Sequence, residues 1–270
     1  MTSVIEGSSS GVAAGTVVDL DFVGAAPSRR ANRTDRGTIL AMTTDSTAQL
    51  ARPKALIFDL DGTLVDTVQA RIDGWVEVLT AEGFDVSTDE VAPMIGMDGK
   101  RLVRKVAEAR DREVSESEGE RIDKLAGAAF DRRNSAPQPL PGLRDVLAAI
   151  EETGARWLIA TSSRKEQVTT SVAALGQEDE PEIVDGSHVE HAKPAPDLLL
   201  LAAERIDLSP EACWYVGDST WDVRAARAAG MAAIAVTAGS AVSADTLSGA
   251  GATRVVETLA ELAKLLRSLA

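Results

Sequence analysis

Ala55-Leu56-Ile57-Phe58-Asp59-Leu60-Asp61-Gly62-Thr63 is the stretch on which the reading of this chain turns. Four consecutive apolar residues end on a carboxylate and a glycine turn, the pattern of a short strand buried on both faces. Asp59 and Asp61 stand two residues apart at its carboxyl end, where both can project into one pocket. With a cation to relieve their repulsion, one carboxylate can attack an electrophile while the other transfers protons. Alone the pair says little, because aspartate commonly starts the turn after a strand.

Working outward, residues 66–133 carry only helical patterns, broken at Gly83 and around Ala92-Pro93, and the Pro-rich stretch Ala136 to Gly142 closes them off as a linker or hinge. Beyond it the pattern alternates. Helices are expected at about 142–153, 164–175, 195–206 and 219–229, with strands at Arg156–Ala160, Glu182–Val184, Trp214–Val216 and Ala232–Val236 between and after them. A last helix sets Leu259, Leu262, Leu266 and Leu269 on one face. Strand–helix units of this length imply a parallel sheet covered by helices. The expected class is therefore α/β: a doubly wound, Rossmann-like core over 51–65 and 141–270, with an inserted all-α unit over 66–140. Residues 1–50 differ. They are rich in Ser, Gly, Thr and Ala, carry the basic cluster Ser28 to Arg33 and lack sustained periodicity, so a disordered extension is expected. Glu6, Asp19, Asp21 and Asp35 argue against a mitochondrial-type leader there, and Met42 as the true start is a further expectation.

The chain has 270 residues, 44% of them hydrophobic and 26% charged, enough for one large or two unequal globular units with a real core. Its 42 acidic against 28 basic residues, a net charge of −14, argue against binding nucleic acid or an anionic membrane by bulk charge. The single cysteine, Cys213 in the apolar run Ala212–Val216, excludes an internal disulfide framework or a Cys-rich zinc site and reads as a buried structural thiol. No run of 18 apolar residues exists, and Gly11–Ala26 is broken by Asp19 and Asp21 without a basic leader. A soluble cytoplasmic protein, monomeric or homodimeric, is expected.

In a sheet of this kind, ligands bind at the carboxyl ends of the strands. Besides Asp59 and Asp61, three such places carry useful chemistry. Thr161-Ser162-Ser163 offers hydroxyls and free N–H groups at a helix start, suited to an anion. Lys193 stands before Pro194 at the mouth of another helix, and Gly217-Asp218-Ser219-Thr220-Trp221-Asp222 supplies two more carboxylates for a hard cation.

Asp59-Leu60-Asp61-Gly62-Thr63, Thr161, Lys193 and Gly217-Asp218 with Asp222, in that order, resemble the four motifs of the haloacid dehalogenase superfamily over about residues 54–270. The resemblance implies that Asp59 is a nucleophile forming an aspartyl-phosphate. It makes Asp61 the group that protonates the leaving oxygen and then activates water. It implies Mg²⁺ held by Asp59, the Asp61 backbone carbonyl and Asp218, with Asp222 in support. Thr161 and the Ser162 N–H would bind phosphoryl oxygens, and Lys193 would neutralise them and orient Asp59. Dehalogenating members lack a carboxylate two residues after the nucleophile, so Asp61 implies phosphoryl transfer.

The insertion after Asp66 resembles the α-helical cap of the phosphoglycolate phosphatase and β-phosphoglucomutase branch, with Asp66-Thr67 as hinge and Ile95–Arg101 as a substrate-facing loop. Lys100, Arg101 or Arg104 could reach an anionic group there, or form a solvated helix face. Trp75, with Val76 and Leu79, reads as core of the insertion rather than a stacking platform. The mutases usually carry histidine ten residues after the acid–base aspartate. Arg71 stands there, favouring a hydrolase. His188 and His191 are too few for a histidine metal site and read as surface or supporting groups. The resemblance thus implies a Mg-dependent phosphatase acting on a small phosphorylated metabolite, phosphoglycolate or a sugar phosphate. Its alternatives are a β-phosphoglucomutase-like phosphomutase and a non-catalytic phosphometabolite-binding protein.

Overall fold

The computed structural model describes residues 50–163 and 165–270. At the centre of a six-stranded parallel sheet lies β1 (Ala55–Phe58). On one side it pairs with β4 (Arg156–Thr161), which pairs in turn with β5 (Ile183–Asp185). On the other come β6 (Cys213–Gly217), β7 (Ala232–Val236) and β8 (Arg254–Val256). The order β5-β4-β1-β6-β7-β8 makes the chain wind outward in one direction from β1 and then in the other, the Rossmann-like arrangement.

Side chains alternate across a strand, so β1 feeds two cores at once. Leu56 and Phe58 pack with residues of α5 (Leu143–Thr153) and α10 (Leu259–Ser268). Ala55 and Ile57 pack with α7 (Asp197–Arg205) and α8 (Thr220–Ala229). Leu259, Leu262 and Leu266 of α10 are fully buried, each contributing roughly 2 kcal/mol by leaving water. Cys213 is buried in β6, where burial pushes its thiol up, as suits a structural rather than a reactive group. Val168 of α6 (Lys165–Ala174) joins the first of these cores and Leu247 of α9 (Ala244–Gly249) the second.

Between β1 and β4 the chain forms α1 (Val68–Ala81), α2 (Thr88–Val91), a single 3-10 turn (Ala92–Met94), α3 (Gly99–Glu108) and α4 (Glu116–Arg133). They enclose a third apolar cluster, including Ile72, Trp75, Leu79, Phe84, Leu102, Val106 and Ile122. Trp221 of α8 joins that cluster.

Two features depart from the sequence reading. The Pro-rich stretch is more than a linker: β3 (Gln138–Pro139) pairs antiparallel with β2 (Val65–Asp66), Val65 opposite Pro139 and Asp66 opposite Gln138. A two-stranded ribbon has only edges, so a proline without an N–H is tolerated there. The second departure is α9 with β8, in a stretch rich in Gly, Ser and Ala whose elements are too short to show a period. The expectations for residues 1–50, including the start at Met42, fall outside the described residues except at Leu50, which packs against the core. Among the described residues no helix is long and apolar enough to cross a membrane.

Candidate active site

Because β1, β4 and β6 lie side by side and end at the same level, Asp59, Thr161 and Asp218 meet at the point where the strand order reverses. The turn after Asp59 brings Asp61 to the same place. It needs Gly62: with φ at +78°, a β-carbon there would stand 2.5 Å from Asp218 Oδ2. A cavity of about 690 Å³ opens above these strand ends, lined on the sheet side by Asp59, Asp61, Thr161, Ser162, Lys193 and Asp218. The helical insertion lines the other side with Arg71, Trp75, Lys100, Arg101 and Arg104.

Lys193 is the pivot of the charge arrangement. Its ammonium is fully buried, 3.1 Å from Asp59 Oδ1 and 2.7 Å from Asp222 Oδ1, and it donates to Tyr215 Oη at 3.1 Å. Burial opposes its charge, but Asp222 and Asp59 outweigh that and hold it well above the ordinary lysine range. Tyr215 passes its own hydrogen on to the Ala160 carbonyl at 3.0 Å, tying the lysine to β4. Asp222 accepts from Lys193 on one oxygen and from the Ser219 N–H and hydroxyl on the other. It therefore props up the lysine and the start of α8.

One lysine does not balance the carboxylates gathered here. Asp59, Asp218 and Asp222 place carboxylate oxygens within 4.8 Å of one another, all buried. Burial, then the charges of Asp222 and Asp61, push Asp59 up to about 7 in spite of Lys193. Burial with Asp222 and Asp59 likewise drives Asp218 well above the carboxylate range, although Thr63 Oγ1 donates to it at 3.1 Å. Asp59 Oδ1 receives no aligned hydrogen bond, the Lys193 ammonium notwithstanding. A buried all-oxygen set with surplus negative charge and an unsatisfied oxygen is what a hard divalent cation would complete.

Asp61 is held differently. Thr67 Oγ1 donates to its Oδ1 at 2.8 Å, while Arg71 (2.5 Å) and Ser163 Oγ (2.7 Å) donate to Oδ2. Burial acts against ionisation, but the Arg71 charge and these hydrogen bonds overcome it and draw Asp61 below the usual range. Two neighbouring carboxylates thus stand in different environments, Asp59 crowded by like charges and Asp61 ion-paired to Arg71. Ser162 Oγ, beside Thr161, is buried without a hydrogen-bond partner and lines the cavity, a place for an oxygen-rich guest.

All nine candidate site residues of the sequence come to this region. Asp59, Asp61, Lys100, Arg101, Thr161, Ser162, Lys193 and Asp218 line the cavity; Asp222 sits behind, on Lys193. Lys100 is partly exposed, 3.9 Å from Glu116, and the Arg101 guanidinium lies 5.4 Å from the centre of the Trp221 ring. Trp75 is buried in the insertion's cluster and also walls the cavity. His191 lies at the rim, 2.9 Å from Asp197, and His188 contacts Asp185. Neither histidine is in the carboxylate cluster. Sequence reading missed the anchors. Arg71 was visible as a departure from the mutase pattern, but its pairing with Asp61 needs α1 to be laid against the sheet. Tyr215 gave the signal of every second residue in β6, which proves to point toward Lys193.

A family profile described as haloacid dehalogenase-like hydrolase matches residues 56–236. Fructose-1-phosphate phosphatase YqaB of Escherichia coli is 31% identical over 189 residues, 68% of this chain and 97% of that protein. A phosphoglycolate phosphatase of Xylella fastidiosa is 31% identical over 189 residues, 67% of this chain and 79% of that protein. Among solved structures, a hydrolase from Pseudomonas syringae superposes with a TM-score of 0.75 at 30% identity, covering 80% of this chain and 99% of that one.

Proposed function

This chain belongs to the haloacid dehalogenase-like hydrolases and is a phosphoric monoester hydrolase, and from that premise we propose a magnesium-dependent reaction through an aspartyl-phosphate on a small phosphorylated metabolite. The observation that carries the reading is the cluster itself: Asp59, Asp218 and Asp222 crowd buried carboxylates together, with one oxygen unsatisfied beside Lys193, and Asp61 lines the same cavity. Thr161 and Ser162 receive the phosphoryl oxygens, and Lys193 offsets their charge. Asp59, ionised, attacks phosphorus as the ester oxygen leaves with a proton from Asp61, which carries that proton once the bound phosphate draws Arg71 away from it. Water then attacks phosphorus as the now ionised Asp61 takes its proton; the bond to Asp59 breaks, phosphate departs and Asp61 is ready to protonate the next leaving oxygen. Magnesium, held by Asp59, Asp218 and the Asp61 backbone carbonyl with Asp222 in support, would supply the charge that lets an anionic nucleophile approach an anionic ester.

The helical insertion serves as a cap that excludes water and reads the substrate beyond its phosphate. A cavity of about 690 Å³ has room for a sugar phosphate as well as for phosphoglycolate. The fructose-1-phosphate and phosphoglycolate phosphatases among the relatives support this range. Phosphate release from fructose 1-phosphate, other sugar phosphates and phosphoglycolate, with and without magnesium, tests the proposal. Magnesium-dependent release on some members is expected. Binding without release, or phosphoryl transfer to a second sugar with little free phosphate, would overturn it.

Lys100→Ala should raise KM for a sugar phosphate about tenfold while changing p-nitrophenyl phosphate hydrolysis far less. Equal losses on both would remove Lys100 from the specificity contacts.

The crowded carboxylates give a test that needs no turnover. Metal-free, Asp59 holds its proton from the ordinary 3.8 up to about 7, so the folded state binds more protons than the unfolded chain across that window. Stability then falls as pH rises through it. Magnesium should raise the melting temperature more at about pH 8 than at pH 5.5. Asp218→Asn, which removes a like charge and keeps an acceptor for Thr63, should melt ~2–4 °C above the metal-free parent and lose the magnesium shift. A variant that keeps the full shift would contradict the metal assignment.

A further inference from the structure

Trp221 stands between Asp218 and Asp222 in sequence, yet its side chain belongs to the other side of the molecule. Only 5% exposed, it packs in the apolar cluster of the helical insertion, with Met94, Ile95 and Met97. Its Nε1 donates to the Pro93 carbonyl at 3.3 Å. Two cations of α3 lie by its ring, Arg101 at 5.4 Å from the centre and Lys105 at 5.9 Å, with Arg224 of its own helix at 5.2 Å. Beside it the loop comes closer still. Gly96 has φ at +88°, and a β-carbon there would stand 2.8 Å from Ser219 Oγ and 3.5 Å from Trp221 Cδ1. Ser219 caps α8 and binds Asp222.

From this interlock we infer that Trp221 is a positioning residue for substrate selection. It docks the segment 93–101 onto the helix that carries Asp222 and sets where Arg101 lies at the wall of the cavity. Aromatic faces attract guanidinium and ammonium groups, and a desolvated ring does so most strongly. The indole therefore holds Arg101 and Lys105 by its ring while its N–H holds the loop backbone at Pro93. Nothing on Trp221 touches Asp59, Asp61 or the phosphoryl site. Its contribution is felt through the loop, by any substrate large enough to meet it. The selection part rests on the phosphatase reading; the docking part does not.

Trp221→Leu keeps apolar bulk and removes both the π face and the donor, and Trp221→Phe restores the face alone. With Trp221→Leu, backbone amides of 95–102 should exchange deuterium about tenfold faster, with those of β1 and β6 unchanged. KM for fructose 1-phosphate should rise about tenfold with kcat little altered, and p-nitrophenyl phosphate hydrolysis should stay within about threefold. Trp221→Phe should recover most of the KM change. Unchanged exchange in 95–102 would overturn the docking role. Faster exchange with equal losses on both esters, or no recovery with phenylalanine, would overturn the role in selection. A parent enzyme that hydrolyses neither ester would sink the phosphatase reading instead and leave the exchange result to decide the docking.

Discussion

Asp59→Asn should lower phosphate release by at least about 10⁴-fold, the scale of losing a nucleophile rather than a binding contact. The substitution is nearly isosteric, so the turn through Gly62 and the cavity keep their shape. It also removes one of three buried, mutually repelling carboxylates. The metal-free variant should therefore melt at or above the parent, and the lost turnover cannot be ascribed to unfolding. Release assays with saturating magnesium, paired with a melting curve, check both halves. Turnover within tenfold of the parent would refute attack by Asp59. A melting temperature well below the parent would refute the charge crowding.

Lys193→Met should be as damaging, by a different route. The ammonium is fully buried and stands between Asp59 and Asp222. Without it, two buried carboxylates lose their counter-charge, a loss on the order of 3–5 kcal/mol for a buried pair broken on one side. For a protein of this size that corresponds to roughly 10 °C in melting temperature. Activity should fall with it, since among the described residues Lys193 is the buried positive charge that the sheet side offers to the phosphoryl group. The double variant Lys193→Met with Asp222→Asn separates the two effects. It should regain much of the stability, because the stranded charge behind the lysine is gone, and none of the activity. A single variant that melts within a degree or two of the parent would show that the ion pairs contribute nothing net.

The parts of this molecule that were legible in its sequence are those where local chemistry and topology agree. Ala55–Phe58 could only be a buried strand, and aspartates at the end of a parallel strand are automatically near whatever ends the neighbouring strands. Thr161, Asp218 and Lys193 were found this way, because a doubly wound sheet converts order along the chain into adjacency in space. The anchors behind them were not legible. Tyr215 under Lys193 depends on how the turn before α7 folds over β6, and Arg71 against Asp61 and Trp221 inside the insertion's core depend on how a helix is rotated or laid against the sheet; sequence spacing states neither. The β2–β3 ribbon escaped for another reason. Two residues make no periodic pattern, and a proline in one of them argues against a strand wherever a central position is assumed.

That ribbon also bears on how the chain assembles. β1 must find β4 across the whole helical insertion, a separation that would make the sheet slow to close if the insertion were loose chain. Pairing Val65 with Pro139 brings the two ends of the insertion together. Once α1 and α4 have packed and the ribbon has formed, the intervening helices become a side branch, and the entropic distance from β1 to β4 shrinks to a short connection through α5. The insertion's own apolar cluster draws mostly on neighbours within it. A chain built this way can collapse its branch first and assemble its sheet second, which predicts that weakening α1–α4 packing slows sheet formation although no sheet contact is touched.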